Sequence, residues 1–251
     1  MASLLKEARA LSDAGVKELI VIAQDITKYG MDLPEHKRLL PELLRELCKM
    51  DFTWIRLHYL YPDQITDELI DVIADEPKIV KYLDIPLQHV SKRILRAMHR
   101  PGDGAEFTKL IEDMRERIPG LVLRTSLIVG LPGETEDEFT QTLAFLERCA
   151  FASVHVFPYS VREGTKAAAM PGQLDQQTKT ARAERAKQVA ETLSAAYRKQ
   201  FVGRTLYALP EHPTGGLWAA HGRYGFPVYI EDKAEKNHPV TVKVIGLHKD
   251  G

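Results

Sequence analysis

The chain has 251 residues, and its 34 lysines and arginines balance 35 aspartates and glutamates to a formal net charge of −1. This balance argues against a generalised electrostatic grip on nucleic acid and leaves room only for a local basic patch. No apolar run approaches the roughly 20 residues that span a bilayer, and the amino terminus lacks the pattern of a secretory signal. We therefore expect a cytoplasmic protein with no membrane partner.

From the amino terminus to residue 118, helical and strand patterns alternate. Apolar residues at helical spacing predict helices, and short apolar runs predict buried strands. The predicted elements are, in chain order, a helix at 4–11, a buried strand at 19–22, a helix at 39–47, a strand at 53–59, a helix capped by Thr66, a strand at 82–85, a helix at 91–98 and a helix ending near 118. The repeated strand-then-helix order favours an α/β fold with a parallel sheet and right-handed crossovers.

The most informative segment runs from Arg124 to Thr135 and reads R-T-S-L-I-V-G-L-P-G-E-T. Its apolar part suits a strand that is buried on both faces, and Gly130 and Gly133 permit positive φ or close approach of the backbone to a ligand. Thr135, with Glu138 three residues later, forms a capping-box pattern that predicts a helix from residue 136. Taken alone, the segment is equally compatible with a simple strand-turn-helix joint.

The rest of the chain is predicted to complete the alternation of strands and helices and then to form a small β module. A helix at 136–149 and a strand at 153–157 are followed by a cation-rich helix at 175–200, which we expect to be a solvated face that closes the barrel. The alternative is that part of this helix contacts nucleic acid or a ribosomal surface. Beyond residue 202, short apolar runs separated by glycine and proline predict a small β module. The aromatic side chains of this module either form its core or stack on bases, and the first arrangement is the more frequent one.

Polar residues follow several predicted strands at the point where each strand ends. Ligands of parallel α/β sheets gather at this edge. The residues are Gln24, Asp25, His58, Gln88, His89, Glu134, Tyr159 and Ser160. The nine histidines show no H-E-x-x-H or similar spacing, so no protein-metal site is predicted. The pattern alone leaves an open sheet and a barrel as alternatives.

Several segments resemble, in the expected order, the methylthiotransferases of the radical S-adenosylmethionine (SAM) superfamily. The matching stretches are A-Q-D-I-T-K-Y-G at 23–30, I-R-L-H-Y-L-Y-P at 55–62, I-P-L-Q-H at 85–89, the segment at 124–135, V-F-P-Y-S at 156–160 and E-G-T at 163–165. The resemblance implies a partial radical-SAM (β/α) barrel over residues 1–201 that lacks its first strand. It also implies a TRAM-like all-β domain over residues 202–251, which would be incomplete because it stops at Lys249–Gly251.

The resemblance further implies SAM as cofactor, reductively cleaved to a radical that removes a hydrogen atom before a methylthio group is installed. Arg124 would grip the SAM carboxylate, Ser126 and Gln88 would bond its ribose, and the turn at 130–134 would lie against its adenine. The implied cofactor-binding residues are Gln24, Asp25, Gln88, Arg124, Ser126, Gly130, Pro132, Gly133, Glu134 and Tyr159. Structural roles stay open for Arg124 as a salt-bridge partner, for Gln88 at a strand end and for Asp25 as a cap. No catalytic residue is assigned.

Cysteine usage conflicts with one part of this resemblance. The family holds a 4Fe-4S cluster on a C-x-x-x-C-x-x-C loop, whereas this chain carries only Cys48 and Cys149. Both are expected to be buried apolar residues without a disulfide. The family loop precedes the helix that residues 1–8 resemble, so we expect a fragment of a longer enzyme that carries the 4Fe-4S clusters. Alone, the fragment should neither bind a cluster nor cleave SAM.

The substrate is the least determined property. Residues 24–30, 58–62 and 88–89 look closer to enzymes that modify an aspartate of a small-subunit ribosomal protein, with the ribosome as partner. Residues 155–160 and the tail look closer to enzymes that modify an adenosine beside the tRNA anticodon. We favour the ribosomal protein over tRNA. A non-catalytic fragment that keeps a SAM-shaped cleft and a weak ribosome or RNA contact is the hypothesis from a different class.

Overall fold

The computed structural model describes residues 1–248, so Lys249–Gly251, where the tail is expected to stop short of a last strand, lie outside the described residues. Strands and helices alternate along the first two thirds of the chain. The elements are α1 (Ala2–Asp13), β1 (Glu18–Val21), α2 (Leu40–Cys48), β2 (Trp54–Leu57), α3 (Asp67–Asp75), β3 (Ile79–Asp84), α4 (Lys92–Ala97), α5 (Gly104–Arg117), β4 (Val122–Val129), α6 (Glu136–Cys149), β5 (Ser153–Pro158) and α7 (Gln176–Lys199). The predicted α/β alternation is confirmed.

Strands β1 to β5 form a parallel sheet in the order β1-β2-β3-β4-β5. Side chains alternate between the two faces of a strand. In β4, Leu127 and Val129 are buried beneath the helices, whereas Arg124 and Ser126 on the other face are only half-buried. One face of the sheet therefore carries the hydrophobic core, and the opposite face lines a polar cleft.

Local side-chain caps begin several of the helices. The Thr66 hydroxyl accepts a hydrogen bond from the backbone N–H of Leu69 at the start of α3. Thr135 and Glu138 form the complete capping box at the start of α6. Both predicted caps are confirmed. Such caps satisfy backbone N–H groups that have no partner within the helix, and each contributes about 1 kcal/mol.

Cys48 and Cys149 lie in the main core, and both are free thiols. Burial raises the pKa of both thiols, and that of Cys48 rises to about 12. Since the thiolate is the form that binds metals, neither side chain is suited to ligation. The prediction that both cysteines are buried apolar residues is confirmed.

The prediction for β1 is correct in position but wrong in burial. Ile20 and Ile22 are 47% and 60% exposed, respectively. The cause is that β1 is the edge strand of the described sheet, with β2 as its only neighbour there, and both side chains point away from the helical core. Beside this edge, an open groove of about 810 Å³ runs between β1, α1 and α2.

The remaining strands form an antiparallel sheet in the order β8-β7-β6-β9. These strands are β6 (Thr205–Thr214), β7 (Leu217–Gly222), β8 (Pro227–Ile230) and β9 (Val240–Lys243). The predicted β module is confirmed. No helix within residues 1–248 has the length and apolar character needed to cross a bilayer.

The β module packs against the amino end of the parallel sheet. Arg56 Nη2 donates to the carbonyl of Gly222 at 2.8 Å, and Arg56 Nε donates to Glu18 Oε1 at 2.7 Å. The second oxygen of Glu18 contacts His221 Nε2. Because Glu18 is the first residue of β1, the module covers the end of the sheet opposite the carboxyl edge, and that edge stays open.

Candidate functional site

Two predicted site residues follow β1 at the carboxyl edge of the sheet. Gln24 is exposed, and Asp25 is half-buried. Asp25 Oδ1 accepts from the Thr27 backbone N–H at 3.0 Å. Asp25 therefore caps the turn that follows it, which was the alternative to a cofactor-binding role. Its other oxygen, Oδ2, lies 3.6 Å from Lys28 Nζ but is buried and has no hydrogen bond within residues 1–248. Asp25 thus keeps one acceptor available to a ligand.

Gln88 is held beside β4 by its own backbone. Its N–H donates to the carbonyl of Ser126 at 2.8 Å, and its carbonyl accepts from the N–H of Ile128 at 2.8 Å. Gln88 has φ +70°, a left-handed conformation that costs a non-glycine residue energy and is concentrated at functional sites. The structure therefore brings together Gln88 and Ser126, both half-buried on the cleft side.

The turn from Gly130 to Glu134 is fixed by one buried carboxylate. Glu134 Oε2 accepts from the Gly130 backbone N–H and from Arg182 Nη1, the latter at 2.7 Å, and Oε1 lies 3.0 Å from His89 Nε2. His89 Nδ1 accepts from the Ser91 N–H at 2.9 Å, so the proton sits on Nε2 and is donated to Glu134. The Glu134 side chain is fully buried and shapes the turn from below.

The backbone of the same turn is pinned from outside. Gly133 N–H donates to the Gly172 carbonyl at 2.7 Å, and Arg93 Nη2 donates to the Gly133 carbonyl at 2.6 Å. Gly130 has φ +77°, and a Cβ there would meet Lys179 Cγ at 2.7 Å, so glycine is required for two reasons. Pro132 is buried within the turn. The turn is a rigid surface before any ligand arrives.

The prediction of a solvated face for the cation-rich helix is wrong at two positions in α7. Lys179 and Arg182 are 5% and 6% exposed, because they pack against the turn and not against water. Arg182 also contacts Glu136 Oε2 at 3.3 Å. The stripe formed with Ala183 and Ala186, which are buried too, was the sequence signal that marked this face as an interface.

A polar cluster that sequence reasoning missed lies on the cleft face below the strand ends. Asp84 is 1% exposed, and its Oδ2 lies 3.5 Å from His58 Nδ1 and 3.7 Å from Arg124 Nη1. Arg124 Nη2 lies 3.4 Å from His155 Nδ1. Burial and the Arg124 charge lower the pKa of His155. The only sequence signal for Asp84 was a charge that ends an otherwise buried strand.

Two buried polar atoms of this cluster have no hydrogen-bond partner within residues 1–248. Asp84 Oδ1 and Arg124 Nε are buried, and neither has a hydrogen-bond partner in the described part of the chain. Buried polar atoms are expensive unless they are bonded. The Asp84 contact supports the alternative that Arg124 is a salt-bridge partner, but Arg124 Nε stays without an acceptor among the described residues. Tyr159, after β5, likewise has a buried hydroxyl without a partner among residues 1–248.

The residues present fit SAM and do not fit an iron-sulfur cluster. The cleft offers a permanent cation in Arg124 and a glycine-lined turn, which match a carboxylate and a flat base, and Asp25 offers an acceptor in the groove beside β1. A cluster needs at least three thiolates, and this sequence contains two cysteines, both buried. Within residues 1–248, no group of three or more His, Cys, Asp or Glu side chains is arranged to hold a metal ion.

Comparison with known families identifies this architecture. The family model described as the radical SAM superfamily matches residues 1–146. The chain belongs to the radical SAM superfamily. SAM is therefore the cofactor of its family, and the partial-barrel interpretation of the α/β fold is confirmed. The solved structure of Escherichia coli coproporphyrinogen III oxidase, a radical SAM enzyme, shares the fold, with a TM-score of 0.52 and 16% identity over 76% of this chain and 52% of that chain.

Curated relatives in the radical SAM superfamily are more similar in sequence. The ribosomal protein uS12 methylthiotransferase RimO of Symbiobacterium thermophilum is 47% identical over 226 residues, which are 89% of this chain and 46% of that protein. The protein of the same name from Myxococcus xanthus is 46% identical over 98% of this chain and 53% of its own length. The resemblance to methylthiotransferases is thereby confirmed. The chain spans about half the length of the curated relatives it matches.

Proposed function

We propose that this chain is part of a radical SAM methylthiotransferase that adds a methylthio group to an aspartate of ribosomal protein uS12. One observation carries the proposal. A polar cleft with unsatisfied buried atoms lies in a chain that is 46% identical, over 98% of its length, to a uS12 methylthiotransferase. The partner would be the small ribosomal subunit or its protein, which implies a cytoplasmic location.

In this proposal, different residues of the cleft bind different parts of the cofactor. Arg124 holds the carboxylate of SAM, and Gln88 with Ser126 bonds the ribose. The turn at 130–134 provides the surface for the adenine, with Glu134 as the positioning residue beneath it and not as a direct ligand. Gln24 and Asp25 complete the site from β1. When bound, SAM supplies the radical that removes a hydrogen atom from the substrate. It also supplies the methyl group that is installed with the sulfur.

The chain's own side chains would also keep water from the reacting centre. Ile20, Ile22 and Phe157 are exposed apolar residues at the open face of the sheet. Ile20 pairs with Arg56 across β1 and β2, and Phe157 follows His155 by two residues, so all three lie on the cleft face. An apolar wall beside a polar cluster suits a reaction that must exclude solvent.

We place the domain boundary at 201/202, with the barrel at 1–201 and the β module at 202–251.

The direct test is a competition between substrates. The enzyme that contains this chain, reconstituted anaerobically with its full cluster complement, is given uS12 and tRNA together, and both are analysed by mass spectrometry. We expect a methylthio group on an aspartate of uS12. Thiomethylation of tRNA alone would overturn the choice of substrate. The Arg124→Met variant should raise the Kd for SAM about tenfold, the factor for a loss of about 1.4 kcal/mol, and the exposed Arg96→Met control should not.

The cysteine count favours a second candidate function for the chain by itself. With two buried thiols, the 251 residues offer no ligand set for a cluster, so the chain alone would act as a binding fragment that retains the cleft. Equilibrium binding of SAM to the chain without iron tests this role. Equal SAM affinity in the wild-type chain and in the Arg124→Met variant would contradict it.

A further inference from the structure

Lys179 is a buried residue whose ammonium group has no counter-ion among residues 1–248. It lies in the first turn of α7 and is 5% exposed. Within residues 1–248, its side chain forms no ion pair and no hydrogen bond. Its side-chain interaction is with the ring of Tyr159, whose centroid lies 5.1 Å from Lys179 Nζ. A cation–π contact is weaker than an ion pair, so the ammonium keeps the capacity to bind an anion.

The neighbouring cation on the same helix face shows the contrast. Arg182 is equally buried, but Glu134 accepts from its Nη1 at 2.7 Å, and Glu136 contacts its Nη2 at 3.3 Å. Glu134 is the buried carboxylate of the turn on which the Lys179 stem packs, and its oxygens are already occupied by Arg182, His89 and the Gly130 N–H. The described residues therefore supply a counter-charge to one of the two cations only.

A second donor without a partner lies beside Lys179. The Tyr159 hydroxyl is buried and has no hydrogen-bond partner among residues 1–248. Its backbone N–H donates to the Val129 carbonyl at 2.8 Å, which fixes Tyr159 at the carboxyl ends of β4 and β5. The Lys179 stem packs on Gly130, the residue that follows β4. Both donors are thus positioned where ligands of parallel sheets gather.

We propose that Lys179 and Tyr159 form a subsite that binds a carboxylate. One ammonium and one hydroxyl match the single charge and the two oxygens of that group. The carboxylate has two sources: an acidic side chain of a protein substrate, or SAM itself, in which case Lys179 and Tyr159 would take the role proposed above for Arg124. The subsite depends on no step of the proposed reaction.

NMR of the 251-residue chain, labelled with ¹³C at the Cε of lysine, tests the subsite. The Lys179 signal is assigned as the one that disappears in Lys179→Arg, which keeps the charge. The probes are N-acetyl-aspartate N-methylamide against its asparagine counterpart, SAM against decarboxylated SAM, and dimethyl phosphate. We expect one carboxylate probe to shift the Lys179 signal saturably and to bind at least about tenfold more tightly than its uncharged counterpart.

The two carboxylate arms distinguish the source of the ligand. A shift with the aspartyl probe alone assigns the subsite to a substrate side chain, and a shift with SAM alone assigns it to the cofactor. The Tyr159→Phe variant, which removes only the hydroxyl, should weaken binding. The Lys187→Gln variant should not, because Lys187 is exposed and pairs with Glu184 at 3.0 Å.

Three results would overturn the proposal. The Lys179 signal could stay unmoved by both carboxylates, it could respond equally to the uncharged counterparts, or it could respond to dimethyl phosphate alone. The last result would indicate a nucleic-acid backbone. Far-UV circular dichroism of each variant establishes that it is folded before titration. The assay needs neither cluster nor turnover, so failure of the proposed reaction leaves its outcome unaffected.

Discussion

Glu134→Gln is the sharpest test of how the turn at 130–134 is held. Three donors converge on the Glu134 carboxylate, namely the Gly130 N–H, Arg182 Nη1 and His89 Nε2. A glutamine presents one acceptor oxygen and one NH₂ group, so at least one donor would face another donor. His89 cannot resolve the conflict by changing tautomer, because its Nδ1 accepts from the Ser91 N–H.

The expected cost follows from the burial of both partners. The side chains of Glu134 and Arg182 are 0% and 7% exposed. Removal of the negative charge therefore leaves a buried cation whose remaining carboxylate partner is Glu136, at 3.3 Å. Breaking a buried pair in this way costs about 3–5 kcal/mol. The matched control is Glu136→Gln, because Glu136 contacts the same arginine but is 58% exposed. An exposed pair of this kind is worth about 0–1 kcal/mol.

Urea unfolding followed by circular dichroism measures the difference. The transition midpoint of Glu134→Gln should fall well below those of the wild type and Glu136→Gln, with an unchanged m-value. Equal midpoints for the two variants would refute the reasoning, since they would mean that the Glu134 carboxylate carries no more free energy than a surface pair. An altered m-value would instead indicate a different unfolding unit.

Three further predictions concern other parts of the molecule. The hydrogen bond that His221 donates to Glu18, with the Glu18 and Glu211 charges, raises the pKa of His221. The contribution of His221 to stability is therefore complete below the ordinary value of 6.5 and lost as pH rises through the higher folded value. Urea midpoints should therefore fall between pH 6 and pH 8 in the wild type and not in His221→Gln, and identical profiles would contradict this. Gly130→Ala should lower the melting temperature more than Gly164→Ala, because both have positive φ but only the first Cβ meets a side chain; equal losses would show that the contact relaxes freely. Anaerobic reconstitution of the chain with iron and sulfide should give no stoichiometric cluster and no 5'-deoxyadenosine, and either product would sink the expectation.

The features that sequence predicted best depend on neighbours in the chain. The caps at Thr66 and Thr135 involve residues three positions away, and the strand-turn-helix at 124–135 is contained in twelve consecutive letters. The polar residues at strand ends were found because the parallel sheet places all carboxyl ends at one edge. Their roles in binding stay predictions, and for Glu134 the structure adds that its buried carboxylate holds the turn at 130–134.

The features that sequence missed depend on partners far apart in the chain. Lys179 and Arg182 resembled a solvated charge run, and the contact of Arg182 with Glu134, 48 residues away, shows what the face that they share with Ala183 and Ala186 packs against. Asp84 and His155 come from β3 and β5 and meet only through Arg124 on β4. A periodic pattern reports which face of an element is apolar, but it does not report which polar residue meets another across a sheet.

The two ends of the parallel sheet differ in how their charged groups are satisfied, and this difference indicates their roles. At the amino end, Glu18 is bonded by Arg56 and His221, and burial of its carboxyl is outweighed by these partners, which together lower its pKa. From mid-strand to the carboxyl edge, atoms of Asp84 and Arg124 are equally buried and have no bond within residues 1–248. A sequence selected for stability alone would treat both ends alike, since an unbonded buried charge is costly anywhere. Among the described residues, Trp54 Nε1 and Arg198 Nε are also buried without a partner, but the atoms of Asp84, Arg124 and Tyr159 gather at one open cleft, as expected of a surface completed by a ligand.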